Sequence, residues 1–429
     1  MPVHPPSPPT TGLLLTGGGA RAAYQVGVLE AIADIRASAG QQQGGNPFPV
    51  ITGTSAGAIN AAALACGADD FDSAVRRIAQ VWRQMRTPQI YRADSLAMLD
   101  AAARWRLVLG FGQLVAKWLR IQPRSLLDNT PLAALLADMV PLERLPQLLQ
   151  DGHLQSLAVT ASSYSSGEHV TFFESATPME PWVRSQRIAV RDRLSHAHLL
   201  ASSAIPFVFP AVGLPVQGHT EYFGDGSVRQ TAPIAAAIHL GASRILVVGS
   251  SRLHEPHEAL APNTHTGYPS LAQIAGHAMS SIFLDALAVD VERLQRINHT
   301  LTLIPPELQS QSTLRPLELL VIAPSERVDV IAQRHVQDLP GPVRRLFGGM
   351  APSNGAHMSA KGSALASYLL FESAFTRELM ALGRFDTLRQ REEVCTFFGW
   401  PGTNLSIDPN DPITPIGSID RIDPIKNGV

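Results

Sequence analysis

Phe48-Pro49-Val50-Ile51-Thr52-Gly53-Thr54-Ser55-Ala56-Gly57 is the stretch on which the reading of this chain turns. The run Phe48 to Thr52 is short and apolar and predicts a strand. The Ala-rich run from Ala56 to Cys66 predicts a helix. Between them stands Gly53-x-Ser55-x-Gly57. A serine on a sharp strand-to-helix turn holds its Oγ clear of the backbone, and the positions two residues either side must be small or the chain collides with itself. The helix that follows points its first N–H groups at the same place. A Gly/Ser-rich loop without chemistry is the other reading. The flanking strand and helix favour a nucleophile at Ser55.

Upstream, the same strand–turn–helix pattern occurs once more. Leu13 to Thr16 predicts a strand. Gly17-Gly18-Gly19-Ala20-Arg21 ends it, and Ala23, Val26, Leu29, Ile32 and Ile35 fall on helical steps. Two such units in succession predict a parallel α/β sheet. Consecutive glycines expose backbone N–H groups that converge on a negative oxygen, which is what acyl transfer needs beside a nucleophile. Gly17-x-Gly19-x-x-Ala22 also fits a loose dinucleotide fingerprint. That fingerprint wants an acid about 20 positions on, and residues 37–47 hold none.

Downstream, residues 70–150 are mostly helical in pattern. Leu154 to Thr160 and His169 to Phe173 predict two strands joined by a turn at Ser165-Ser166-Gly167. Tyr222-Phe223 leads into Gly224-Asp225-Gly226, Pro233 to Leu240 predicts a helix, and Arg244 to Gly249 a buried strand. A carboxylate at a strand end, as at Asp225, serves as a base or orienter for a serine. Asp-Gly is also a common ordinary turn, and the residues alone favour that reading.

Taken in order, these blocks resemble the patatin-like phospholipases. The first is Gly17-Gly18-Gly19-Ala20-Arg21-Ala22, with Ala22 where a glycine is usual. The elbow Gly53-Thr54-Ser55-Ala56-Gly57 matches in full. Ala201-Ser202-Ser203-Ala204-Ile205-Pro206-Phe207-Val208-Phe209-Pro210 is similar to a further family segment. Asp225-Gly226-Ser227 closes the set, with a serine at its third place. The resemblance implies a three-layer α/β/α fold with a mainly parallel central sheet and a lipid acyl hydrolase working through a Ser55–Asp225 dyad. It implies oxyanion donors on the Gly17, Gly18 and Gly19 loop, with Arg21 near the substrate phosphate or the loop. It implies no cofactor. A Ser–Asp–His triad is the competitor, since His254 and His257 follow the Arg244–Gly249 strand.

Composition sets the frame. The 429 residues are 45 % hydrophobic and 16 % charged, with net charge −2. A chain this long and apolar buries a real core, and no basic field for nucleic acid is present. Of 34 basic residues only Lys117, Lys361 and Lys426 are lysines. Cys66 and Cys395 make neither a disulfide framework nor a cysteine metal site. The start has no cationic n-region or h-region, and no apolar run reaches 18 residues. The expectation is a cytoplasmic protein. We divide it into a flexible Pro-rich arm over 1–11, a catalytic domain over 12–250, a mostly helical extension over 251–400 and a loosely ordered tail over 401–429.

The expected partner is a lipid substrate, with peripheral membrane contact through 104–121. There Leu107, Phe111, Leu114 and Trp118 share a helical face among Arg104, Arg106, Lys117, Arg120 and Arg124. The same stretch also reads as a core helix with solvated arginines, and Gly110 and Gly112 interrupt either. Met279, Phe283, Leu287 and Val291 form another stripe, read as core or subunit contact. His196 and His198 alternate as strand metal ligands would, but no third ligand accompanies them, and no metal is assigned.

Overall fold

Strand β1 (Thr11–Leu15) is buried along its whole length. It lies between β2 (Val50–Thr54) and β9 (Arg244–Val248), parallel to both. This computed structural model describes residues 9–93, 125–253, 286–348 and 366–402, apart from positions 44, 217, 229, 306, 307, 309–311 and 313. Within them a single sheet runs β10 (Glu318–Ile322), β9, β1, β2, β3 (Ser156–Ser163), β4 (His169–Ser175), β6 (Arg187–Arg191), β5 (Val183–Arg184). From β10 to β3 every pairing is parallel. Beyond β3 the sheet is mixed: β4 is antiparallel to β3, β6 parallel to β4 and β5 antiparallel to β6, and β3 also pairs at its end with β8 (His219–Asp225), which forms a hairpin with β7 (Val212–Val216).

Strands buried on both faces read as continuous apolar runs, and alternation sorts them into two cores. Leu13, Leu15, Ile51, Val159 and Leu246 enter one; Leu14, Val50, Ala158 and Val247 enter the other. The first core is covered by α1 (Ala23–Ser38), α2 (Ala56–Ala65), α3 (Phe71–Arg83), α4 (Thr130–Met139), α5 (His196–Ser202) and α8 (Ser373–Arg389). The second is covered by α6 (Ala235–His239) and α7 (Leu287–Thr302). Helices on both faces of a mainly parallel central sheet make the three layers the sequence implied.

Helix α3 shows how local sequence sets an element. Asp70 caps it, accepting from the Ser73 N–H at 3.0 Å, and Phe71, Val75, Ile78 and Trp82 turn inward. Helix α1 is buried on nearly every side because α8 lies directly against it. A Cβ on Gly27 would stand 1.9 Å from the Met380 carbonyl oxygen, and one on Gly383 2.1 Å from that of Tyr24. Each glycine admits the other helix's backbone. The Tyr24 hydroxyl donates to Asp386 across the same contact at 2.9 Å.

Residues 251–400 hold more than helices. Strand β10 lies parallel to β9 at the edge of the central sheet, and α8 belongs to the first core. On α7, Leu287, Val291 and Leu294 are buried; Met279 and Phe283 lie outside the described residues. So do 104–121, His254, His257 and nearly all of the tail. No helix among the described residues is long and apolar enough to cross a membrane. Cys66 and Cys395 are both buried and unpaired by disulfide.

Candidate active site

Parallel strands β9, β1 and β2 end at one edge of the sheet, where α/β folds carry their sites. The loops after them hold Ser250, Gly17 to Gly19 and Ser55. Ser55 has φ 56° and ψ −132°. Such a backbone costs a non-glycine residue roughly 1–3 kcal/mol and persists only where neighbours hold it. Here the Ser55 N–H donates to Ser202 Oγ at 2.8 Å, and the Ser202 hydroxyl donates to the Thr160 carbonyl at 2.6 Å. The Ser55 carbonyl accepts from the Ala58 N–H at 2.9 Å, opening α2. A Cβ on Gly57 would stand 2.4 Å from the carbonyl oxygens of both Leu15 and Thr16. The glycine spacing is therefore a packing requirement between the elbow and the end of β1.

Asp225 is the last residue of β8 and has no exposed surface. The Ser55 hydroxyl donates to its Oδ2 at 2.6 Å, and the Ser227 N–H donates to Oδ1 at 2.8 Å. Burial pushes its carboxyl up to about 6, against the lowering effect of the bonds from Ser55 and Ser227. The segment Ala201 to Pro210 staples the two residues together. Ser202 holds the elbow, while the Asp225 and Gly226 N–H groups donate to the carbonyls of Ala204 and Ser202 at 2.9 and 3.0 Å. An Asp-Gly turn has no fixed role in a sequence; the fold places this carboxylate against the Ser55 hydroxyl.

The glycine loop lies against this pair. A Cβ on Gly17 would stand 3.0 Å from Ser55 Cβ and 2.0 Å from Ser227 Oγ. The serine in the third place of the Asp225 block thus fits because residue 17 is glycine. Gly19 has φ 54°, and a Cβ there would stand 2.3 Å from the Tyr368 carbonyl oxygen. None of the N–H groups of Gly17, Gly18 and Gly19 is bonded to another described residue. Arg21 is buried. Its Nε donates to Ser367 Oγ at 2.7 Å and its Nη1 to Ser251 Oγ at 3.1 Å, and its guanidinium lies 4.2 Å from the centre of the Tyr368 ring. These contacts tie the loop to the C-terminal segment.

An apolar cavity opens beside Ser55, lined among others by Ile59, Trp82, Met85, Leu132, Phe209 and Phe371. Phe371 comes from beyond the blocks that carry the family resemblance, as does Tyr368. Their sequence surroundings hold no motif. His196 and His198 sit on helix α5: His196 Nε2 is 2.8 Å from the Val140 carbonyl oxygen, and His198 Nδ1 is 2.9 Å from Ser195 Oγ. Among the described residues no three His, Cys, Asp or Glu side chains gather as metal ligands would. Burial pushes the Cys66 thiol up to about 12, which keeps it from acting as a nucleophile at neutral pH.

The sequence profile of the patatin-like phospholipases matches residues 13–238, more than half of the chain, and the chain belongs to that family of lipid hydrolases. Among solved structures it is similar to VipD from Legionella pneumophila, at 13% identity and a TM-score of 0.32, covering 87% of this chain and 67% of that one. It is similar to the type III effector ExoU at 17% identity and a TM-score of 0.26, covering 84% and 78%. A third is full-length ExoU of Pseudomonas aeruginosa in complex with SpcU, at 14% identity and a TM-score of 0.25, covering 87% and 71%. No curated protein matches the chain by sequence.

Proposed function

We propose that this chain hydrolyses carboxylic ester bonds of phospholipids or lysophospholipids by an acyl-enzyme route on Ser55 and Asp225. The observation that carries the reading is the 2.6 Å bond from the Ser55 hydroxyl to a fully buried Asp225, made on a strained elbow beside an apolar cavity. Ser55 Oγ attacks the ester carbonyl carbon as its proton passes to Asp225 Oδ2. The carbonyl oxygen takes the negative charge and is held by the glycine-loop N–H groups. The C–O bond to the alcohol breaks, and the leaving oxygen takes the proton from Asp225. A water then gives its proton to Asp225 and attacks the acyl carbon, and Ser55 leaves with that proton. The apolar cavity takes the acyl chain.

An ordinary aspartate titrates near 3.9 and is a weak base. Burial makes Asp225 a better one while leaving it ionised at neutral pH. Because the ionised form is the base, kcat/KM rises as pH rises through about 6 and flattens above it. At pH 5 it stands roughly tenfold below the plateau. A profile flat from pH 5 to 8 would contradict the assignment. The direct test is hydrolysis of a panel of p-nitrophenyl esters and phospholipids by wild type and Ser55→Ala, with fluorophosphonate labelling of Ser55. Turnover that survives Ser55→Ala sinks the proposal. Failure of the label to modify Ser55 favours a non-catalytic binding module on the same scaffold.

A further inference from the structure

In a trans peptide the C=O and the following N–H lie in one plane and point in opposite directions. A group that holds a carbonyl therefore aims the next residue's N–H. Each peptide plane of the glycine loop is held in this way. Gln25 Nε2 donates to the Thr16 carbonyl at 2.6 Å, which aims the Gly17 N–H. The Arg21 N–H donates to the Gly18 carbonyl at 3.0 Å, which aims the Gly19 N–H. The middle plane is held from outside the loop and its helix: the Ser250 hydroxyl, 233 residues away along the chain, donates to the Gly17 carbonyl. Ser250 is buried just past the end of β9, and a Cβ on Gly18 would stand 2.6 Å from its own Cβ. No other side chain among the described residues bonds that carbonyl.

We propose that Ser250 is a positioning residue that aims the Gly18 N–H at the oxygen on which negative charge develops. The proposal rests on the reading of Ser55 as nucleophile and of the glycine loop as its oxyanion site. Ser250 touches no reacting atom. It acts on the transition state through one peptide plane, so its loss changes kcat and leaves the ground-state complex alone. Gln25 does the same for the plane before it, as part of a buried chain. Asn60 Nδ2 donates to Gln25 Oε1 at 3.1 Å, and Trp82 Nε1 donates to Asn60 Oδ1 at 2.8 Å, so the loop is tied to the wall of the apolar cavity.

The test compares wild type, Ser250→Ala, Ser250→Thr and Ser55→Ala on p-nitrophenyl butyrate, together with inhibition by an alkylboronic acid. Boron accepts the Ser55 oxygen, the Ser55 proton passes to Asp225, and the resulting tetrahedral boronate, which bears the negative charge as a whole, sets one of its hydroxyl oxygens in the oxyanion site. Ser250→Ala keeps the Cβ that packs on Gly18 and loses only the donor. Removing one oxyanion donor outright costs about 100- to 1,000-fold. Leaving it present but unaimed is expected to cost about tenfold in kcat, with KM within about twofold. Boronate affinity falls by the same factor, and Ser250→Thr retains the wild-type values. Ser250→Ala with wild-type kcat overturns the proposal, as does a loss confined to KM or one that Ser250→Thr shares while melting lower. Ser250→Cys, of nearly the same shape and a weak donor, decides the matter if the alanine variant fails to fold. Turnover that survives Ser55→Ala overturns the underlying reading instead.

Discussion

Asp225→Asn lowers kcat/KM by about 10⁴-fold or more while the protein melts at least as high as wild type at pH 8. The kinetic half follows from the geometry. Asp225 Oδ2 is the acceptor of the Ser55 proton at 2.6 Å. An amide takes no proton there, so the loss is of the size seen when a member of a catalytic unit is removed, about 10⁴- to 10⁶-fold. The stability half follows from burial. The folded protein holds the Asp225 proton up to about 6, whereas an unfolded aspartate releases it near 3.9. The native state therefore binds that proton more tightly. This group's contribution is most favourable below about pH 4 and is lost as pH rises through about 6, and at pH 8 the ionised carboxylate costs roughly 3 kcal/mol. Asparagine carries no charge. Its Oδ1 takes the Ser227 N–H, and its Nδ2 faces a Ser55 oxygen free to accept. The difference in melting temperature is expected at pH 8 and vanishes below pH 4. Thermal melts at the two pH values, beside initial rates, check both halves. Should Asp225→Asn keep most of its turnover while His254→Ala or His257→Ala loses it, a histidine triad replaces the dyad.

The parts of this site legible in the sequence are those whose constraint is local. Ser55 and its glycines announce themselves because the collision Gly53 avoids, with Gly57 and Ala58 four and five residues on, arises within one strand–turn–helix unit. Gly17 to Gly19 are legible as a glycine run between a strand and a helix, although the groups they make room for, Ser227, Ser250 and Tyr368, lie far along the chain. Asp225 is visible only through the order of the blocks, because an Asp-Gly turn has many uses. Ser202 and Ser250 could not be found. Each contributes one hydroxyl, to a partner 147 and 233 residues away respectively, and a serine in a loop carries no pattern that reveals this. Ser202 stands in the Ala201 to Pro210 segment, where nothing in its neighbours marks the hydroxyl that holds the elbow. Strand β10 shows the limit in the fold. Glu318-Leu319-Leu320-Val321-Ile322 is a short apolar run in a region of helical periodicity, and periodicity does not separate a buried strand from a piece of buried helix. Its identity comes from pairing with β9, a contact across more than 70 residues.

The same reasoning bears on the boundary drawn at residue 250, and a chain ended there is expected to be insoluble and inactive. Phe375 and Leu379 are fully buried and Met380 and Leu382 nearly so, all on α8 and largely against α1. At roughly 1.5–3 kcal/mol for each side chain removed from water, the four supply roughly 6–12 kcal/mol. That is the size of the whole folding free energy of a typical domain, about 5–15 kcal/mol. Ending the chain at 250 also strips β10 from the sheet edge, leaving β9 unpaired on one side. Chemistry suffers as well, because Phe371 leaves the apolar cavity and Arg21 loses Ser367 and Tyr368. A point substitution probes the contact without truncation. Gly383→Val drives a side chain into the Tyr24 carbonyl, 2.1 Å from the Cβ position, and must part the two helices. Overpacking of this kind costs about 1–3 kcal/mol or more. The variant should therefore melt well below wild type, while a substitution on the exposed face of α8, such as Phe385→Ser, does not. Soluble expression, circular dichroism and esterase rate on the 1–250 fragment decide the larger claim. A folded, active fragment would show that the catalytic unit ends where the sequence motifs end, and that α8 only rests upon it.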